Sequence, residues 1–282
     1  MRGRDPVSRL GLIAGRGRLP LLAARGLAAA GVSVRAVAFE GLCDPELEGA
    51  VDRIHWHRLG QLDAAAESLR AMEVDELVVA GAVPKQALFD GSARVELDAS
   101  AKRLLGSIDR WDDGTLLRAI ASWLERKGFR VARQDEAFAT LVAREGDFSG
   151  REPSAEELFD VEIGRRALAR IGAAGIGQCV VVRRGCVVAV EAVEGTDATI
   201  RRAGELAGPG AVVVKGARAG QDRRFDLPAV GPGTIAAMAL AGARCLAIEA
   251  GVTLILDRES ARDAADRAGI AWTAFPSDRV GS

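Results

Sequence analysis

The stretch Leu10-Gly11-Leu12-Ile13-Ala14-Gly15-Arg16-Gly17-Arg18-Leu19-Pro20 decides the fold class. Its first residues form a short apolar run that ends on Gly15, the reading of a buried strand. Apolar residues then recur at helical spacing from Leu19 to Ala30, where Gly31 closes the segment. Pro20 suits the first helical turn, whose N–H groups lack helical partners in any case. The same alternation continues outward. Val34 to Phe39 is a second strand ended by Glu40-Gly41, Leu62 to Met72 a helix, Glu76 to Gly81 a third buried strand, and Thr115 to Lys127 a helix stopped by Gly128. Strand, helix, strand at these spacings predicts βαβ units and a parallel, doubly wound sheet.

Arg144 to Asp160 breaks this rhythm with six acidic and two basic residues and few apolar ones. The chain is accordingly read as an α/β protein: an N-terminal domain over 1–145, a linker over 146–160, and a mixed α/β C-terminal domain over 161–282. Ser154-Ala155-Glu156-Glu157 has the form of a capping box that starts a helix. Cys179 to Val182 and Cys186 to Val190 are short β runs split by Arg183-Arg184-Gly185, a hairpin signal. Further strands are expected at Ala211 to Val214, around Ala247 and at Thr253 to Leu256, and helices at Thr199 to Leu206, Thr234 to Ala243 and Ala261 to Ala268.

Composition bounds the function. The 282 residues carry 38 basic and 39 acidic side chains, for a net charge of −1, so no positive field favours nucleic acid. Aromatic residues are 4% and Tyr is absent, which supplies base-stacking platforms poorly. No apolar run is long enough to span a bilayer, and the start Met1-Arg2-Gly3-Arg4-Asp5 lacks a signal-peptide pattern. An intracellular protein is expected. The four cysteines, Cys43, Cys179, Cys186 and Cys245, form no CxxC pair and read as buried small hydrophobes.

Two regions carry candidate chemistry. The first is Gly15-Arg16-Gly17, between a strand and a helix, where glycine lets an anion approach the helix N-terminus. Glu40, at the end of the second strand, stands where a ribose-binding acid would in a dinucleotide fold. A dinucleotide, another anionic ligand and a purely structural turn all fit this signal. The second region is Glu191 to Ala198 together with Lys215 and Gln221 to Pro228. It brings the carboxylates Glu194, Asp197, Asp222 and Asp226 together with the cations Arg202, Lys215, Arg223 and Arg224 at strand ends and turns. Such a mix suits phosphoryl chemistry: carboxylates hold Mg²⁺ or Mn²⁺, and cations clamp the phosphates. Plainer readings stand beside it. Thr196 or Asp197 would cap the next helix, Asp222 would sit in a turn, Arg223 and Arg224 would be a solvated pair, and Gln178 would be a hydrogen-bonding strand residue. Asp226, between Phe225 and Leu227-Pro228, is expected to be partly buried with a partner. His55 and His57, which flank Trp56, read as structural or surface residues.

The chain resembles the UDP-2,3-diacylglucosamine pyrophosphatases of the LpxI type, from bacterial lipid A synthesis. The resemblance is carried by residues 10–20, Leu-Gly-Gln-Leu (59–62), Val-Ala-Gly-Ala-Val (79–83), Asp-Gly-Thr-Leu-Leu-Arg-Ala-Ile (113–120), Ile-Gly-Gln (176–178), Val-Glu-Ala-Val-Glu-Gly-Thr-Asp-Ala (190–198), and Gln-Asp-Arg-Arg-Phe-Asp-Leu-Pro (221–228) with Gly231, Pro232 and Thr234. It departs at Gly175, where the family usually has Asp before Ile-Gly-Gln. The resemblance implies hydrolysis of UDP-2,3-diacylglucosamine to UMP and 2,3-diacylglucosamine 1-phosphate (lipid X). It also implies two domains, the N-terminal one Rossmann-like and the C-terminal one peculiar to the family, with dependence on Mg²⁺ or Mn²⁺, a homodimer, and a substrate held between the domains. The family's essential aspartate falls on Asp226. In this reading Asp222, Glu194, Lys215 and Arg224 assist catalysis, and Asp226, Asp222, Glu194 and Asp197 ligate the metal. Gly15, Gly17, Gln61, Gly81, Gln178, Thr196, Asp197, Gln221 and Thr234 bind substrate. An apolar groove for the acyl chains is expected near Asp226, along with transient attachment of a cytoplasmic protein to the inner membrane. An NAD-dependent oxidoreductase and a non-catalytic nucleotide- or lipid-binding regulator are the alternatives.

Overall fold

Strand β1 (Arg9–Ala14) is the middle of a five-stranded sheet, since its inward residues Leu12 and Ala14 are fully buried and both its edges are paired. The computed structural model describes residues 9–82, 95–109 and 113–277, without the side chains of Asp113 and Asp147. Met1 to Asp5 and Val83 lie outside the described residues. The chain divides into two compact units, residues 1–140 with 222–226, and residues 141–221 with 227–282.

In the first unit, β1 is followed by α1 (Leu19–Ala29), β2 (Ser33–Phe39), β3 (Arg53–His57), α2 (Leu62–Ala71), β4 (Glu76–Ala80), α3 (Ala99–Gly106), α4 (Asp113–Arg126), β5 (Arg130–Val131) and the short α5 (Gln134–Ala137). The sheet order is β3-β2-β1-β4-β5, every pairing parallel. The expected Rossmann-like sheet is therefore present, and the strand order reverses between β1 and β4. That switch point is where α/β sheets bind ligands. Leu69, Leu77, Trp123, Leu124 and Phe129 are central to the core over the face that α2 and α4 cover. Each such side chain taken from water contributes about 1.5–3 kcal/mol.

The second unit is a mixed α/β layer structure. Its elements are β6 (Gly146–Asp147), α6 (Ala155–Ala173), β7 (Cys179–Arg183), β8 (Cys186–Val190), α7 (Thr196–Ala207), β9 (Val212–Lys215), β10 (Ala229–Val230), α8 (Pro232–Leu240), β11 (Cys245–Glu249), β12 (Leu254–Ile255), α9 (Arg258–Ala268) and β13 (Ala271–Phe275). The main sheet runs β6-β13-β11-β9-β7-β8. Strands β9, β11 and β13 are parallel, β7 and β8 form the expected antiparallel hairpin, and β10 pairs separately with β12. Strand periodicity sorts the valines: Val212 and Val214 pack with Val161 and Leu168 of α6, whereas Val213 faces Ile200, Ile235 and Met238 on the other side. Residues 146–160, expected as a linker, hold β6 and the start of α6. The Ser154–Glu157 capping box is formed, with Ser154 N donating to Glu157 Oε2 at 2.8 Å and Glu157 N donating to Ser154 Oγ at 3.2 Å.

Candidate functional site

At the switch point of the first unit, the loops after β1 and β4 are zipped together. Gly15 N donates to Ala80 O and Arg16 N to Ala82 O, both at 2.8 Å, and Ala82 N donates back to Arg16 O at 3.0 Å. A side chain could not fit here: a Cβ at Gly15 would lie 2.8 Å from Ala82 O, and one at Gly81 (φ +86°) 2.7 Å from Arg16 O. The two glycines therefore serve backbone approach. Gly17 is exposed, with open space around its Cα. The N-cap residue of α1, Arg18, does not cap the helix with its own side chain. Gln61 binds its own turn, its Oε1 accepting from Arg58 N at 2.9 Å.

The segment Asp222–Asp226 belongs to this same unit. Phe225 is buried in the core of the α2–α4 face. Gln134 N donates to Arg223 O at 2.8 Å, and the Gln134 amide reaches Val79 O at 2.8 Å. Asp135, nearly buried, accepts from Arg133 (3.0 and 2.6 Å) and from Arg223 Nη1 (2.9 Å). Burial alone would raise its pKa, but the two guanidinium groups outweigh that and hold the carboxyl low. Arg224 donates from Nε and Nη2 to Asp222 (2.9 and 2.6 Å) and from Nη1 to Glu125 (2.5 Å). The hydrogen bonds from Arg224 keep the Asp222 carboxyl below its ordinary range, against the effect of burial. Arg223 and Arg224 are thus paired with acids and are not the solvated pair of the plainer reading. Asp226 differs from expectation: it is exposed, at φ +51°. The left-handed backbone turns its side chain outward between two buried neighbours, Phe225 and Leu227.

In the second unit, polar residues gather at the carboxyl ends of β9 and β11. Lys215, buried, donates from Nζ to Thr196 Oγ1 at 2.7 Å and to Ala229 O at 2.9 Å. Thr196 Oγ1 in turn donates to Glu191 Oε1 at 2.7 Å, and Gln178 N donates to Glu191 Oε2 at 3.1 Å. Burial, followed by the charge of Glu191, pushes the neighbouring Cys179 thiol up to about 12, which leaves it inert as a nucleophile. Glu249, also buried, accepts from Ala217 N (2.9 Å) and Ser277 Oγ (2.6 Å). Glu194 is pulled below its ordinary pKa by its own backbone amide and then by Arg202, whose Nη2 is 2.6 Å away. Neither Thr196 nor Asp197 caps α7; the cap position is Gly195 at φ +81°. Asp197 is exposed in the first turn, Gln221 Oε1 accepts from Arg218 N at 2.9 Å, and Thr234 is buried near the start of α8. Of the cysteines, Cys186 is exposed, because β8 presents it on its outer side, while Cys43, Cys179 and Cys245 are buried.

The expected site residues thus form two groups. Gly15, Gly17, Gln61, Gly81, Asp222, Arg224 and Asp226 belong to the first unit. Gln178, Glu194, Thr196, Asp197, Lys215, Gln221 and Thr234 belong to the second. Among the described residues, no three His, Cys, Asp or Glu side chains gather to hold a metal ion. Glu194 is engaged by Arg202 and Asp222 by Arg224. Glu191, though it opens the candidate segment, was not named among its acids, and Glu249 and Asp135 were not singled out from sequence. The first two have a readable signal, an acid ending an apolar strand run in Val-Val-Ala-Val-Glu and Cys-Leu-Ala-Ile-Glu. Asp135 has none.

A Rossmann-order sheet with a glycine loop at its switch point, joined in one chain to a mixed sheet with buried charges at its strand ends, defines a two-unit α/β protein. Residues 9–141 match the family model of the LpxI N-terminal domain and residues 144–273 that of the LpxI C-terminal domain. The chain belongs to the LpxI family. It is 34% identical over 278 residues to the UDP-2,3-diacylglucosamine pyrophosphatase LpxI of Caulobacter vibrioides, covering 93% of this chain and 95% of that protein. Two solved structures are similar only slightly. The biotin carboxylase domain of the Hydrogenobacter thermophilus 2-oxoglutarate carboxylase is 12% identical, with a TM-score of 0.24 over 63% of this chain and 35% of that one. The L-amino acid ligase of Bacillus licheniformis is 14% identical, with a TM-score of 0.23 over 68% and 41%. At these scores neither carries an argument.

Proposed function

We propose that the chain hydrolyses the pyrophosphate of UDP-2,3-diacylglucosamine, giving UMP and 2,3-diacylglucosamine 1-phosphate. The observation that carries this reading is the match of both halves to LpxI, with a relative of that activity aligned over 93% of the chain. Water adds to the phosphorus on the lipid side, the bond from that phosphorus to the bridging oxygen breaks, and UMP leaves with that oxygen. Asp226, exposed and held at a fixed backbone angle, orients the water and accepts its proton. Asp222 and Arg224, which neutralise one another, hold the turn that carries Asp226. Lys215 fixes Thr196 beside Glu191 at the substrate-binding edge of the second unit.

A divalent cation, Mg²⁺ or Mn²⁺, belongs to the same proposal. Such an ion commonly takes one or two carboxylates and completes its shell with substrate phosphates and water, so the lack of a three-acid cluster among the described residues leaves room for it. Asp226 would be a ligand to it, and its charge would offset that of the phosphates. Homodimer formation and transient contact with the inner membrane complete the proposal. No helix among the described residues is long and apolar enough to cross a membrane, while Leu206, Leu240 and Val193 are apolar and exposed for interfacial contact.

The test is incubation of the purified protein with UDP-2,3-diacylglucosamine, with and without Mg²⁺ or Mn²⁺, followed by product masses in ¹⁸O water. UMP free of label and labelled lipid phosphate are expected. Absence of UMP release under every condition overturns the reading.

A further inference from the structure

The segment that carries Asp226 is tethered to α5, and α5 is tethered to the sheet. Gln134, buried at the start of α5, makes both ties. Its backbone N–H donates to Arg223 O, and its side-chain amide donates to Val79 O, both at 2.8 Å. Val79 lies on β4, two residues before Gly81. Asp135, the next residue, adds a charged tie. Its carboxylate, 9% exposed, accepts from Arg223 Nη1 at 2.9 Å and from Arg133 at 3.0 and 2.6 Å. Hydrogen bonds between ionised partners are roughly twice as strong as neutral ones, and a guanidinium fixes direction as well.

Each of the three residues before Asp226 is therefore anchored. Arg223 is held by Gln134 and Asp135, Arg224 by Glu125 and Asp222, and Phe225 by the apolar core. Phe225 N donates to Asp222 O at 3.1 Å and closes the turn. Asp226 follows, exposed, at φ +51°. Such an angle is unfavourable for a residue with a side chain and persists where its surroundings over-determine it. Burying Phe225 would by itself secure the packing. The ties through Arg223 do something further: they set where an exposed carboxylate stands relative to β4.

We infer that Asp135 is a positioning residue for Asp226: through Arg223 it holds the turn from which Asp226 acts, without taking part in the chemistry itself. The inference rests on the hydrolase reading above. A catalytic group misplaced by about 1 Å can lose on the order of a hundredfold in rate.

The experiment uses the full chain with UDP-2,3-diacylglucosamine and Mg²⁺ or Mn²⁺. Asp135→Asn and Asp226→Asn are made singly and together, and UMP release is followed below the melting temperature of each variant. Asp135→Asn keeps the side chain's shape and removes the charge that holds Arg223. It is expected to lower kcat about tenfold or more, with KM within about twofold. In the Asp226→Asn background the same change should alter the residual rate by less than about twofold, since the group it positions is gone. A merely structural residue would cost the same factor in both backgrounds. An equal loss in both, a loss confined to KM, or an unchanged kcat overturns the assignment. Should Asp135→Asn fail to fold, Arg223→Gln breaks the same pair from the other side and carries the same comparison. If the wild type releases no UMP, the hydrolase reading fails and this inference with it. An active wild type beside an equally active Asp135→Asn overturns this inference alone.

Discussion

The ammonium of Lys215 reaches the carboxylate of Glu191 through a single hydroxyl. Thr196 Oγ1 accepts from the lysine and donates to the glutamate, both at 2.7 Å. Lysine and glutamate are each buried, so the hydroxyl links two charges that water scarcely reaches. Thr196→Val keeps the shape and removes the link. It is expected to cost about 1–3 kcal/mol of unfolding free energy, the range for leaving buried polar groups unsatisfied. Chemical denaturation measures this, and an unchanged midpoint would show that the three groups rearrange without cost.

Asp226 joins an unfavourable backbone angle to an outward side chain. Asn tolerates the left-handed region as well as Asp does. Asp226→Asn should therefore leave the melting temperature within a few degrees while reducing UMP release by at least a hundredfold. Near-normal turnover in this variant would remove Asp226 from the reaction.

Asp135 gathers Arg133 and Arg223. Its folded pKa is lowered, so its contribution to stability is full above the ordinary carboxylate range and is lost as pH falls through the lowered value. Asp135→Asn should cost about 1.5–3 kcal/mol at neutral pH, the scale of hydrogen bonds to charged groups. It should also flatten the acid limb of a stability–pH curve measured by urea unfolding.

His57 gives a second pH signature of the same overall slope. Burial, and then the nearby His55, hold its imidazole below the ordinary 6.5, with Glu40 pulling weakly the other way. The unfolded chain takes up the proton first, so stability falls as pH drops below about 6.5. His57→Gln should remove that part of the slope while keeping a partner for Ser68, which lies 2.9 Å from His57 Nε2.

Gly81 carries a positive φ and the closest backbone approach of the switch point. Gly81→Ala should destabilise the first unit by more than 1 kcal/mol, since both strain and a clash with Arg16 O must be absorbed. Gly17→Ala, at a similarly positive φ with open space around it, should cost only the strain. Paired melting curves separate the two contributions.

Much of the fold was legible because apolar runs marked it. Strands β1, β2, β4 and the β7–β8 hairpin are short hydrophobic segments bounded by glycine or charge, and the Ser154–Glu157 capping box marked a helix start. Strand β3, Arg-Ile-His-Trp-His, was not, because an edge strand is half-exposed and lacks an apolar run. Strand β13 escaped because Ala-Trp-Thr-Ala-Phe carries little branched aliphatic character, although Trp272 is fully buried there. Helix α3 has a clear cap, Asp98 accepting from Ala101 N at 2.8 Å, but only one turn of apolar pattern behind it. For the site, the residue types were readable and their partners were not. Nothing local in Asp222-Arg223-Arg224-Phe225-Asp226 shows that it joins the unit built from the first half of the chain. Only a tertiary partner, Asp135 or the core around Phe225, decides that.

That short excursion fixes an order of events on the ribosome. The sheet around β1 is encoded in the first half of the chain, yet Phe225 and the arginine that completes the pairing of Asp135 are not translated until four-fifths of the polypeptide exists. A nascent first half therefore lacks both Phe225 and the second arginine partner of Asp135 until those residues have been made.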